Sequence, residues 1–274
     1  MTTTLRPAEP LQLHPDGTRS RRYQVCVNSR PVGEIRLGTS PGFGDSVARI
    51  IDLRIAEPDR RRGRGTVAAL AAEEVARGWG CTRIEATVPA TADAGLRLLA
   101  ALGYTERNRR MEKRLGTTPP ALPSDSRARP MTEEEFEAWR KTESERYARM
   151  WSERGVPGAA ARAKARDDHT RLLPHGLASD GMLFSVLEYG GSRVGILWVA
   201  LRDDGAFVLD VETDAPHRGR GHGRTLMLLA ERQAIEGRLP VLGLNVFAGN
   251  TPAERLYASL GYEPVTHSLT KPLL

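Results

Sequence analysis

The stretch His217–Met227, HRGRGHGRTLM, places three glycines and three arginines immediately before an apolar pattern of helical spacing. A glycine-rich turn that opens a helix presents several free backbone amides together with the positive end of the helix dipole. Such a turn is an anion site, and Arg218, Arg220 and Arg224 add charge-assisted contacts suited to phosphate. Two familiar phosphate signatures fit it poorly. A P-loop needs GxxxxGK followed by Ser or Thr, and the chain has no lysine in such a setting. The dinucleotide fingerprint is matched by Gly63, Gly65 and Ala68, with Glu85 following, but an equivalent run in the second half puts Leu226 where a small residue is required.

That equivalence is general. A shift of 158 residues aligns Pro58–Tyr104 with Pro216–Tyr262 without a gap. Identical pairs include Arg60/Arg218, Arg62/Arg220, Gly63/Gly221, Gly65/Gly223, Glu73/Glu231, Arg97/Arg255, Leu102/Leu260, Gly103/Gly261 and Tyr104/Tyr262. The chain therefore reads as a tandem duplication of one α/β unit, and the Arg/Gly loop belongs to that unit.

Both copies fit Arg-x-x-Gly-x-Gly, as Arg60–Gly65 and Arg218–Gly223. Here the sequence resembles the GNAT family, the GCN5-related N-acetyltransferases, whose signature loop holds the pyrophosphate of acetyl-CoA. Leu244–Val265, LNVFAGNTPAERLYASLGYEPV, is similar to the second family signature: a strand, then Asn-x-x-Ala-x-x-Leu-Tyr, then Leu-Gly-Tyr. The likeness covers residues 131–274 well and 22–115 partially. It implies two GNAT-like units on mixed α/β sheets, with acetyl-CoA as co-substrate and no metal.

The resemblance also implies roles. Arg218, Gly219, Arg220, Gly221, His222, Gly223 and Arg224 would form the pyrophosphate loop. Backbone groups from Val211 to Thr213 would hold the thioester carbonyl and the pantetheine arm, and Asn250 would help hold the CoA. Tyr257 would donate a proton to the departing thiolate. Strand alternation sets Phe207, Leu209 and Val211 on one face and Asp210 and Glu212 on the other. A carboxylate there could take the amine's proton, directly or through water, which makes Glu212 the candidate base. His217 and His222 are expected to be exposed, and the consecutive Asp167, Asp168 and His169 cannot converge on a metal from one helix. In the first half Leu99, Ala92 and Arg54 stand where Tyr257, Asn250 and Glu212 stand in the second. The first unit is thus expected to be non-catalytic, with CoA binding there left open.

The elements that must position these groups are legible as alternating patterns. Strands are expected near 22–28, 32–37, 47–56, 82–88 and 109–115, and helices near 66–77 and 93–102. In the second half MTEEEF reads as a capped helix start, with Thr132 and Glu135 exchanging hydrogen bonds and Met131 stapled on Phe136. That helix is expected to end near Gly155, and a second, led in by Pro157, to run toward Leu172. Hairpins turn at Gly190-Gly191 and Asp204-Gly205, followed by helix, strand, helix and a closing strand. The opening dozen residues and the Pro/Ser/Thr-rich Thr117–Pro130 read as linkers, which divides the chain into 1–118, a linker 119–130, and a catalytic unit 131–274.

Composition narrows the partners. The 274 residues are 40% apolar and 27% charged, with a net charge of +6, a mixture typical of a globular protein. All but four of the 40 basic residues are arginine, without the interleaved aromatics of a single-strand platform, so no nucleic-acid partner is expected. No stretch reads as a signal peptide or membrane span, which points to the cytoplasm. Cys26 and Cys81 lack CxxC spacing and read as buried free thiols. The expected reaction is acetyl transfer from acetyl-CoA to a primary amine of a small molecule, by direct attack in a ternary complex. A protein or peptide N-acetyltransferase and a non-catalytic CoA sensor or scaffold remain as alternatives. The fused units suit a monomer with an internal pseudo-dimer, or a homodimer.

Overall fold

The computed structural model describes residues 3–40, 44–153 and 156–273. The first half forms β1 (Thr3–Pro7), β2 (Gln12–Leu13), β3 (Arg19–Val27), β4 (Arg30–Ser40), β5 (Gly44–Ile55), α1 (Arg64–Gly78), β6 (Arg83–Pro89), α2 (Asp93–Ala101) and β7 (Thr105–Arg114). The second half forms β8 (Ser126–Pro130), α3 (Glu133–Glu153), α4 (Gly158–Leu172), β9 (Met182–Tyr189), β10 (Ser192–Arg202), β11 (Gly205–Thr213), α5 (His222–Glu236), β12 (Val241–Phe247), α6 (Thr251–Ser259) and β13 (Glu263–Pro272). Gly155, where the first long helix was expected to end, lies outside the described residues.

Local chemistry explains the helices that matter. In α1 Ala68, Ala72 and Ala76 recur every fourth position and are fully buried, so the small stripe lets the helix lie close on its sheet. At the start of α3 the Thr132 amide donates to Glu135 Oε2 at 2.9 Å and the Glu135 amide to Thr132 Oγ1 at 3.2 Å, the expected capping box. Met131 and Phe136 share one buried cluster.

Two compact units emerge, and they do not follow the linear boundary. Unit 1 comprises Met1–Asn108 with Thr266–Leu274, and unit 2 comprises Arg109–Val265. Within unit 1 the strand order is β1-β3-β4-β5-β6-β13, with β2 beside β3; the pairs are antiparallel except β5 with β6, which is parallel. Within unit 2 the order is β7-β12-β11-β10-β9-β8, and β11 pairs β12 in parallel. Each sheet is thus completed by the last strand of the other sequence repeat.

The completing strands make matching contacts. Lys271 on β13 donates to Glu73 Oε1 and Oε2 at 2.9 and 2.7 Å and sits 5.6 Å from the Tyr104 ring centre. Lys113 on β7 donates to Glu231 Oε1 at 2.7 Å and sits 5.7 Å from the Tyr262 ring. All three residues of one set are related to the other by the same 158-residue shift. Leu269 and Leu273 join the core of unit 1, and Met111 joins that of unit 2.

Both stretches read as linkers carry strands. β1 pairs β3, and β8 pairs β9. Edge strands of this kind are held by backbone pairing and need no apolar alternation, so their polar composition concealed them. Cys26 and Cys81 are buried free thiols, as expected. No helix among the described residues is long and apolar enough to cross a membrane.

Glu73 is only 2% exposed and both its carboxylate oxygens accept from Lys271. Removing one partner of a buried pair costs about 3–5 kcal/mol. Lys271→Ala should therefore lower stability by that order in chemical denaturation, and adding Glu73→Gln should recover much of the loss.

Candidate active site

The site begins with a break in a strand. β10 pairs Trp198 with Asp210 but Val199 with Val208, leaving Leu209 as the extra residue of a bulge in β11. A bulge bends its strand and shifts the phase of its side chains. Leu209 accordingly packs among the aromatic side chains under α3, while Val211 packs on the opposite face with α5 and α6. This corrects the simple alternation, which placed Leu209 and Val211 on one face. The parallel ladder between β11 and β12 joins Ala206–Val208 to Leu242–Leu244 and stops there, so the strands part beside Val211, Glu212 and Thr213.

The glycine loop follows at once. Gly219 and Gly221 adopt left-handed φ of 76° and 88°, a conformation glycine takes without steric cost. Gly221 caps α5 with no side-chain hydrogen bond, which leaves the first amides of the helix to a ligand or water. A Cβ on Gly223 would lie 3.3 Å from Leu256 of α6, so this glycine permits close helix packing. Arg218 Nε donates to the Thr213 carbonyl at 3.2 Å, fixing the loop to the end of β11. Arg224 donates to Ser259 at the end of α6, and Arg220 is exposed. His222 is not exposed, in contrast to expectation: it is buried with its ring 5.1 Å from that of Tyr189. Burial first, then the neighbouring His217 ring and the Arg220 guanidinium, push its pKa down, which favours the neutral ring, and it packs against Tyr189.

Tyr257 is buried on α6, and its phenol is pushed up to about 12 by burial and by the charge of Asp210. It therefore holds its proton at neutral pH. Asn250 caps α6, accepting from the Ala253 amide at 3.4 Å; this capping accounts for the side chain before any ligand is considered.

The structure brings further residues to this place from α3. Arg146 Nη1 donates to Glu212 Oε2 at 2.8 Å, Nη2 to Asp210 Oδ1 at 2.7 Å, and Nε to Glu143 Oε2 at 2.6 Å. Trp139 Nε1 donates to Asp210 Oδ2 at 3.1 Å. Three carboxylates thus share one guanidinium. Burial, then the charge of Asp210, raises Glu143 to about 7. Nearby, Tyr147 and Trp151 meet edge to face at 6.0 Å, and Trp151 meets Phe247 at 5.9 Å. Tyr147 also donates to Asp168 at 3.0 Å, a carboxylate further occupied by Lys164 and Arg171. Glu143 and Arg146 escaped the sequence reading because α3 lies outside both glycine-loop and tyrosine motifs, whereas Trp139 reads from sequence only as one of the residues that mark the apolar side of this helix. The available signal was their spacing: positions 139, 143 and 146 share one helix face.

The model of the acetyltransferase (GNAT) family matches residues 3–104 and 123–262. Two proteins of Bacillus subtilis, the uncharacterized N-acetyltransferases YdgE and YycN, are each 28% identical over 154 and 151 residues, covering 52% and 53% of this chain and 95% and 96% of their own lengths. Among solved structures, a tandem GNAT protein from the clavulanic acid biosynthesis pathway is 21% identical with a TM-score of 0.52, covering 96% of this chain and 85% of that one. A GCN5-related N-acetyltransferase from Sphaerobacter thermophilus is 17% identical with a TM-score of 0.61, covering 92% and 80%.

The raised carboxyl of Glu143 has a consequence for stability. Its ordinary value is 4.5, so between that pH and about 7 the folded chain keeps a proton the unfolded chain has lost, and stability falls as pH rises through this window. Glu143→Gln should flatten that slope and stabilise the protein above pH 7 by on the order of a few kcal/mol, read as Tm against pH.

Proposed function

The chain belongs to the GNAT acetyltransferase family, and from that premise we propose that unit 2 transfers acetyl from acetyl-CoA to a primary amine of a small molecule by direct attack in a ternary complex. The observation that supports this reading is the parting of β11 and β12 beside Val211–Thr213 with the glycine loop at the end of β11, where the charge of Asp210 acts on the buried Tyr257 phenol.

Acetyl-CoA supplies the activated acyl group. The first-turn amides of α5 and the side chains of Arg218 and Arg220 suit its pyrophosphate. The backbone of Val211–Thr213, released from the ladder, suits the amide-bearing arm, and the Nδ2 of Asn250, whose Oδ1 serves the cap, can add one donor. His222 contributes its backbone. In this reading Tyr257 gives its proton to the departing thiolate, which a phenol retained to about 12 can do at neutral pH.

The acceptor side favours a cation. Asp210 and Glu212 lie on this side and share Arg146 with Glu143, and a carboxylate there suits an acceptor that arrives as an ammonium. The amine must lose a proton before attack, and Glu212, the less buried carboxylate at 34% side-chain exposure, is the proposed acceptor of that proton, directly or through water. Tyr147, Trp151 and Phe247 pack edge to face beside this cluster, an apolar surface that suits the body of a small amine.

Tyr257→Phe should reduce kcat by about 10²–10⁴ while leaving CoA affinity unchanged, measured by thiol release across a panel of amines and by CoA titration. Wild-type turnover in the phenylalanine variant would remove Tyr257 from the mechanism; absence of thiol release with every amine would favour a non-catalytic CoA-binding role.

A further inference from the structure

Two carboxylates stand on the acceptor side of β11, and they are held to different degrees. Asp210 has both oxygens occupied: Oδ1 accepts from Arg146 Nη2 at 2.7 Å and Oδ2 from Trp139 Nε1 at 3.1 Å. Glu212 has one oxygen occupied, Oε2, which accepts from Arg146 Nη1 at 2.8 Å. Its Oε1 accepts no hydrogen bond among the described residues and faces Arg218 Nη2 at 3.8 Å, beyond hydrogen-bond reach. The Glu212 side chain is also the more exposed of the two. Arg146 thus joins a carboxylate with no oxygen to spare to one with an oxygen left over.

The guanidinium is itself fixed. Its Nε donates to Glu143 Oε2 at 2.6 Å, one turn back on α3, so all three nitrogens of its rigid plane are committed. Burial alone would loosen its proton, but the charges of Asp210, Glu143 and Glu212 outweigh that and raise its pKa. Arg146 accordingly stays charged and exchanges no proton. Unit 1 separates the roles of the two carboxylates. Under the 158-residue shift Asp210 corresponds to Asp52 and Glu212 to Arg54. The aspartate persists, and Arg54 Nε lies 2.8 Å from Asp52 Oδ2, so the guanidinium there comes from the same strand. An aspartate bound to a guanidinium is common to both units, whereas the glutamate, with an arginine supplied from a helix, is particular to unit 2.

We propose that Arg146 is the positioning residue of the acetyl transfer: anchored on Asp210 and Glu143, it holds Glu212 by Oε2 and leaves Oε1 to receive a proton from the acceptor's ammonium. This rests on the reading of Glu212 as the acceptor of that proton. The N–H bond of the ammonium breaks as an O–H bond forms at Glu212, and the lone pair so released attacks the thioester carbonyl. The C–S bond then breaks and the thiolate takes the proton of Tyr257. The second proton of the attacking nitrogen restores Tyr257, and Glu212 returns its own to water. Arg146 acts only through the carboxylate it orients.

The test is the pH profile of kcat/KM on the full chain, by thiol release, with CoA titration and Tm measured alongside. Arg146→Gln removes both charge and geometry. Its kcat should fall about 10²-fold, the order that a small misplacement costs, with CoA affinity unchanged. Its acidic limb should rise by about one pH unit or more, because a carboxylate that loses a neighbouring cation is protonated more readily. Arg146→Lys keeps the charge without the fork, so its limb should stay near that of wild type while its kcat falls between the two. Trp139→Phe disturbs the cluster through Asp210 alone and should leave the limb in place. A limb unmoved in Arg146→Gln, or moved equally by Trp139→Phe, would overturn the proposal and leave acetyl transfer by unit 2 standing. If Arg146→Gln does not fold, the lysine variant decides: wild-type kcat there would overturn the proposal. No thiol release from wild type with any amine would overturn both readings.

Discussion

One irregularity governs the site: the extra residue at Leu209. A regular parallel pair would continue its hydrogen bonds to the strand ends, leaving no backbone group for a ligand and no gap between β11 and β12. The bulge spends one residue outside the ladder, bends β11 and ends the pairing at Val208. Beyond that point the same strand serves two faces. Val211 packs with α5 and α6, while Asp210 and Glu212 turn to Arg146 on α3. Everything proposed for unit 2 needs both results, an open backbone and two carboxylates on the acceptor side.

The strand exchange answers a different problem. A parallel pair at β5–β6 or β11–β12 needs a further strand on its outer side, or its edge remains open to other chains. Each unit receives that strand from the other repeat, and a lysine on it meets a glutamate buried under a tyrosine ring. The two sets are made of equivalent residues, so the exchange is a property of the repeat and not an accident of one half. Each unit accordingly contains residues of both sequence repeats.

The sequence was informative wherever function or folding imposed a local pattern. Gly219 and Gly221 announce left-handed turns, Thr132 and Glu135 a helix start, and the 158-residue register both copies of the fold. It was silent on pairings made across long separations. Nothing in Thr3–Pro7 or Ser126–Pro130 marks an edge strand, and nothing in MEKR or SLTKP marks which sheet will receive it. Leu209 illustrates the limit at the site itself: a bulge is a relation between two strands, and a period of two read along one of them puts the wrong side chains together. His222 failed for a related reason, since its burial depends on Tyr189, which the loop motif does not contain.

The cluster around Arg146 also bears on why this chain uses arginine so heavily. An ammonium is a compact point charge, whereas a guanidinium offers five donors in a fixed plane. Arg146 uses Nε, Nη1 and Nη2 on three different carboxylates, and Arg129 likewise spans Glu135 and Glu188. A lysine at position 146 could approach these groups but could not hold Asp210 and Glu212 apart in a set geometry. The two lysines at 113 and 271 stand where that geometry is not asked for: one glutamate below and one aromatic face beside, which a point charge satisfies.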